Sequence, residues 1–341
     1  MHCRLERSGV GNRRSGSTLA AALLAAAMLV APGGSGTAMT SADPALPGDY
    51  SQRLDALWIF EQPAESETRF RTEAARHAPG SREAAEAATQ LARALGLQQR
   101  FAEADRMLDT VKLTLARQPA RVRVRYLLER GRRDNSSGRP SKALAWFEQA
   151  LIASADDALP GADFYRVDAL HMLAIAAPPS RQLALNLRAL AAADATQDAR
   201  TRGWRAALLN NLGWTMHERG DARAALAYWQ DALAAFEAKH DLRGTRIARW
   251  TVARGLRSLG RLDEAEAIQR ALAGELDAAH APDGYVFEEL AEIAVARGDR
   301  GAARPWAAKA FALLSQDADF RASEPARLAR LADLAQHSQS R

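Results

Sequence analysis

The residues best placed to do chemistry lie in "NNLGWTMHERGDARAALAYWQDALAAF", Asn210 to Phe236, where His217 and Glu218 stand side by side. A zincin needs His-Glu-x-x-His, so that both histidines face one way from consecutive turns. The second histidine position holds Asp221, and Gly220 interrupts the helix before it. The other histidines after the N-terminal region (His77, His171, His240, His280 and His337) are far apart and fall near helix ends or turns. No Gly-x-Ser-x-Gly occurs, and no strand pattern could host one. "PGGSGT" at 32–37 lacks the lysine of a phosphate loop, and "ADDALPGAD" and "DFRASEP" lack the spaced oxygen ligands of a calcium loop. These residue types imply no catalytic centre, no metal and no cofactor.

What would position such side chains is helical throughout. The chain is rich in Ala, Leu, Arg and Glu, and its β-branched residues never alternate over a strand length. At the N-terminus Arg4, Arg7, Arg13 and Arg14 precede an apolar run from Leu19 to Ala31, followed by proline, glycine and small residues. A basic head, a short apolar core and a small-residue end describe a secretory signal peptide over 1–38, and the run is short for a membrane span. Its removal takes four arginines and one glutamate, a net +3, and leaves +2 of the original +5, which weakens any case for nucleic acid. The single cysteine, Cys3, leaves with it, so the remaining chain has no disulfide and no thiol nucleophile. The expectation is an exported chain, periplasmic or extracellular, with no membrane span after leader cleavage.

A repeat organises the rest. A turn position recurs at Gln99, Gly138, Pro178, Gly220, Gly260 and Gly298, spaced by 39, 40, 42, 40 and 38 residues. Five residues later stand Ala104, Ala143, Leu183, Ala225, Ala265 and Ala303. Seven beyond those stand Val111, Ala150, Leu190, Ala232, Leu272 and Ala310. On the preceding helix the facing position reads Ala92, Gly131, His171, Gly213, Ala253 and Ala291. Small residues where two helices approach, with large ones between, are what close helix packing requires. A fixed period of this size marks a stacked array whose pairs bury their apolar stripes only against neighbours.

"LNNLGWTMHERGDARAALAYWQDAL" resembles the tetratricopeptide repeat, with Leu212, Gly213, Gly220, Ala225, Trp229 and Ala232 on that family's signature. The resemblance covers roughly 81–314 and implies an all-α fold: a right-handed superhelical stack of antiparallel helix pairs, about six to seven repeats, with a C-terminal capping helix. The organisation expected is a signal peptide (1–38), a flexible lead-in (39–49), a degenerate first helix pair (50–80), the array (81–320), and a capping helix and tail (321–341). In the last, Ser323 is expected to cap a helix that turns Leu328, Leu331 and Leu334 inward.

In that family the first helix of each pair lines a concave face where peptides or protein partners bind. By position this face includes Arg93, Arg125, Leu128, Arg132, Asp168, Met172, Glu288 and Glu292. Asn210, Trp214 and His217 share one helical face at i, i+4 and i+7; Trp250, Arg254 and Arg257 do the same one repeat later. Trp and Arg are the side chains that anchor interfaces. The resemblance therefore implies a bacterial, non-enzymatic scaffold that holds a peptide or partner protein near Asn210, Trp214, His217, Trp250, Arg254 and Arg257. The second reading is a sensory or regulatory arm for a small ligand, or a part of an envelope assembly such as secretion or polysaccharide export. Trp146, Trp204, Trp229 and Trp306 read as core or inter-repeat filler.

Overall fold

The computed structural model describes residues 49–156 and 158–336, so the leader and His337 lie outside the described residues. The chain divides into two compact units, with the boundary between Leu272 and Ala273. The described part of each is all helix and turn.

The first unit opens with a six-residue helix α1 (Tyr50–Asp55), followed by α2 (Pro63–Ala75). Helix pairs then follow in chain order: α3 (Arg82–Leu97) with α4 (Phe101–Thr114), α5 (Ala120–Ser136) with α6 (Pro140–Ala153), and α7 (Ala162–Ala176) with α8 (Pro179–Ala195). After the single turn α9 (Ala199–Arg202), α10 (Arg205–Glu218) pairs with α11 (Ala222–Ala238). Next come α12 (Leu242–Ser258) and α13 (Leu262–Ala278), which contains the unit boundary. Second helices pack on the next first helix: α4 on α5, α6 on α7, α8 on α10 and α11 on α12. This is a tetratricopeptide-like stack of antiparallel helix pairs.

One turn closes five of the helix pairs. Gln99, Gly138, Gly220, Gly260 and Gly298 all have positive φ. In each, the next residue's N–H reaches back to the carbonyl five residues earlier: Arg100 to Leu95, Arg139 to Asp134, Asp221 to Met216, Arg261 to Leu256 and Asp299 to Ala294, at 2.9–3.0 Å. That left-handed closure satisfies the last helical carbonyls. Asp221 then caps α11 by accepting from Ala224 N–H at 3.0 Å. The Gly-Asp pair is thus turn chemistry.

The small positions work as expected. A methyl on Gly213 would lie 2.3 Å from the Trp229 indole, and one on Gly131 2.3 Å from the Phe147 ring. Each glycine lets a large ring of the second helix lie on the backbone of the first, and both rings are 0% exposed.

The repeat at α7–α8 departs from the expected register. Pro178 has φ −61° and Ala177 −74°, so this turn has no left-handed residue; a proline ring cannot adopt one. The inward positions fall one residue early: Gln182, Asn186 and Ala189 are buried, whereas Leu183 and Leu190 are half-buried. His171 stands where a small residue was expected. It is fully enclosed, with its ring 5.1 Å from that of Trp204, and its Nδ1 lies 3.2 Å from Asn211 Nδ2. Burial pushes its imidazole down to about 4.

The helical patterns at 50–80 form helices but not a regular pair. α2 packs along α3, while α1 turns away, with Tyr50 and Arg53 touching His77 and Glu73 near the end of α2. In the second unit α14 (Gly284–Ala296) pairs with α15 (Arg300–Leu314), followed by α16 (Ala318–Ser323) and α17 (Pro325–Gln336), which packs on α15. Leu331 and Leu334 are buried and Leu328 half-buried. Arg327 and Arg330 grip Glu288 and Glu292 of α14 with paired bonds of 2.5–2.9 Å. Ser323 does not cap α17: it is the last residue of α16 and donates to Asp319 O.

Two alanine substitutions separate packing from backbone propensity. Gly213→Ala drives a methyl into Trp229 and is expected to cost about 1–3 kcal/mol. Gly96→Ala, with nothing within 4 Å, is expected to gain about 0.5–1 kcal/mol. Urea unfolding measures both; equal effects would contradict the close-approach account.

Candidate functional site

In the first unit, the first helices of successive pairs (α3, α5, α7, α10 and α12) present a common face. At its α10–α12 end the structure brings together four of the six residues expected there. Trp214 lies 6.1 Å from Trp250, ring to ring, and the Arg254 guanidinium sits 5.5 Å from one indole and 5.6 Å from the other. His217 meets Trp214 edge-on at 5.9 Å and also contacts Trp229 at 5.5 Å. Trp214, His217, Trp250, Arg254 and Arg257 are all half-buried, so each is packed and still reaches solvent. Asn210 is different. It is buried, its carbonyl accepts from the Trp229 indole N–H at 3.2 Å, and it belongs to the pair's interior. Glu218 is half-buried without a hydrogen-bond or ion-pair partner among the described residues. Burial pushes its carboxyl up to about 7. No group of three or more metal-ligating side chains occurs among the described residues.

The rest of this face carries a feature the repeat pattern does not contain. Residues 49–61 lie across it. Asp49 accepts from Arg121 of α5 at 2.6 and 2.7 Å. Ser51 accepts from Arg125, one turn later on α5, at 2.6 Å, and its hydroxyl is 3.3 Å from the Tyr165 hydroxyl of α7. Asp55 accepts from Arg200 of α9, from Nε and Nη2, both at 2.7 Å. Trp58 donates to Gln90 of α3 at 3.2 Å, and Glu61 accepts from Arg243 of α12 at 2.6 Å. Leu54 is fully buried among them. At its far end this strap is fastened to α2, where the Ser66 hydroxyl bonds both the N–H and the carbonyl of Ile59.

Arg93 of α3 meets the strap without a hydrogen bond. Its guanidinium sits 5.4 and 5.5 Å from the Trp58 and Phe60 rings, which stack on each other at 4.6 Å. Among the described residues it has no hydrogen-bond or ion-pair partner. Burial and the nearby Arg132 charge lower it to about 10. Burial also raises the Asp55 carboxyl above its ordinary range, against the pull of Arg200 and Arg125. At Asp49, burial acts the same way, but the bond and charge of Arg121, the Ser51 N–H and the Arg125 charge together outweigh it and hold that carboxyl below its ordinary value. A cavity of about 30 Å³ remains between strap and helices, edged by Arg93, Arg125, Leu128, Asp168 and Arg200.

Arg93, Arg125, Leu128 and Asp168 were legible as face residues from repeat position. The strap, Arg200 and Tyr165 were not, because they lie outside the repeating positions. The signal available was "DYSQRLDALWIFEQ", which places Asp49, Asp55 and Glu61 six residues apart around a Trp-Ile-Phe cluster.

Residues 205–240 match the tetratricopeptide repeat family. That segment is the α10–α11 pair carrying the Gly213–Trp229 contact. No curated protein matches the chain. Among solved structures the chain is similar to a Signal Transduction ATPase with Numerous Domains carrying a tetratricopeptide repeat sensor, from Pyrococcus horikoshii. The identity is 12% and the TM-score 0.62, over 84% of this chain and 44% of that one. It is similar to the apo form of RapI at 8% identity and TM-score 0.60, over 84% and 85% of the two chains. It is similar to NprR in complex with its cognate peptide NprX at 15% identity and TM-score 0.52, over 85% of each. These likenesses establish the fold.

The environment of Glu218 gives a pH test. Its carboxyl holds a proton up to about 7 in the folded chain and only to the ordinary glutamate range, about 4.5, when unfolded. The folded state is therefore favoured most below pH 4.5 and loses that contribution as pH rises to 7. Glu218→Gln is expected to raise the melting temperature at pH 8 and to leave it unchanged at pH 4. A variant that melts with the wild type at both would show a solvated carboxyl.

Proposed function

We propose that the chain is an exported, non-enzymatic binding module whose first-helix face takes a short segment of a protein partner. The observation that carries this reading is the strap itself: a stretch of ordinary polypeptide, with polar and aromatic side chains, already lies on four of the first helices. The neighbouring Trp214–Arg254–Trp250 cluster offers two half-exposed indoles and a cation on the same face, the side-chain types that dominate interface energetics. NprR, which shares the fold, holds a peptide in its solved complex. Export rests on the basic head and apolar core of residues 1–38.

The reading in which the array senses a small ligand fits the cavity less well. About 30 Å³ accommodates water, whereas small-molecule sites enclose about 300–1,000 Å³.

Affinity capture with the chain lacking residues 1–38, from periplasmic and medium fractions of the producing cell, tests the proposal. One reproducible protein partner is expected, and Trp214→Ala with Arg254→Ala should retain it at least about tenfold less, the scale of one anchor residue. Equal capture by the double variant and the parent would show that the partner is held elsewhere.

A further inference from the structure

We infer that residues 49–61 are a built-in competitor for this face, and that the partner they hold off is an acidic segment with aromatic residues between its carboxylates. This deepens the proposed function and rests on it.

The argument starts from the cations. Arg121 and Arg125 are 5% and 4% exposed. A guanidinium out of water must be matched by acceptors, and removing its partner costs far more than breaking a surface pair. Glu86, fully buried between them, supplies part of the match: its carboxylate lies 3.0 Å from Arg121 and 3.7 Å from Arg125. The strap supplies the rest through Asp49 and Ser51. Further along, Arg200 and Arg243 take Asp55 and Glu61. An apolar or basic segment that displaced the strap would take the strap's acceptors from these arginines and put nothing in their place. A segment with carboxylates at the same spacing would exchange one set of ion pairs for another. Arg93 adds aromatic selectivity, since its guanidinium lies over the faces of Trp58 and Phe60, which an incoming Trp or Phe can replace.

The strap is also built to be exchanged. Its regular structure is one helix of six residues. Two of its three carboxylates sit well out in solvent, with the Asp49 side chain 45% and the Glu61 side chain 56% exposed. It remains tethered through Ser66 and α2, so it re-enters the face without diffusing away. A partner's apparent affinity is reduced by the fraction of molecules whose strap is in place.

The test uses the full chain and a fluorescein-labelled peptide of residues 49–62. Asp49→Asn, Asp55→Asn and Glu61→Gln together weaken the strap while leaving every arginine of the face. The triple variant is expected to bind the labelled peptide at least about tenfold more tightly than the wild type, as follows from losing three partly exposed ion pairs. A peptide carrying the same three neutral substitutions should bind neither protein. Where the triple variant fails to fold by circular dichroism, Glu61→Gln alone reads the same competition at the surface pair with Arg243, with an expected gain of about two- to fivefold. A folded variant that binds the peptide no better than wild type would overturn the inference, as would equal binding of the neutral peptide. Peptide binding gained by the strap variant while Trp214→Ala with Arg254→Ala leaves capture intact would sink the proposed anchor cluster and keep the strap. Loss of capture in that double variant with no gain in the strap variant would do the reverse.

Discussion

A guanidinium withdrawn from water is costly unless acceptors or aromatic faces replace its hydration, and the arginines of the first unit are held on those terms. Repeat packing sets α3, α5 and α7 side by side and carries the same face on to α12, and with it a row of arginines. Some of those charges are matched by acids of the array: Arg121 and Arg125 by Glu86, and Arg132 by Glu129 and Asp168. A segment that is not part of the repeat completes the match at Arg121 and Arg125 and pairs with Arg200 and Arg243. Deeply buried pairs are costly to break, while exposed ones contribute about 0–1 kcal/mol. The strap makes both kinds, which fixes its position and defines what could replace it.

The array that creates this face depends on a simpler contact. In two of the pairs a ring from the second helix lies on a residue without a side chain on the first. Gly213 beneath Trp229 and Gly131 beneath Phe147 are the tightest examples in α5–α6 and α10–α11. A left-handed turn then reverses the chain at a fixed phase. Where Pro178 forbids that turn, the phase slips by one residue. Asn186 takes the ring's place and donates to Thr215 at 3.1 Å.

This is why most of the fold was legible in the sequence. Turn residues and small positions are local and recur, so period and pairing follow from spacing alone. Pro178 carried the signal of its own exception, since its ring excludes the backbone angle the other turns share. Trp214, His217, Trp250 and Arg254 were legible as neighbours because helical spacing places them on one face, and adjacent repeats set those faces side by side. Asn210 shared that spacing but turned into the pair's interior. The strap was illegible for a different reason. The ion pairs of its carboxylates join residues 72 to 182 positions apart, and no period relates Asp49 to Arg121 or Glu61 to Arg243. Even so, the six-residue spacing of its acids has a physical counterpart in the arginines it reaches.

Hydrogen exchange of the full chain, read on fragments covering residues 50–58, tests most directly whether the strap lies on the face in solution. Docked, the backbone amides of Tyr50–Asp55 and of the residues after them should exchange at least about 100-fold more slowly than in the free peptide of the same sequence, and Arg125→Gln should erode that protection without unfolding α10–α11. Exchange at the free-peptide rate in the wild-type chain would mean that the face is empty, and the account of its charges would have to be abandoned.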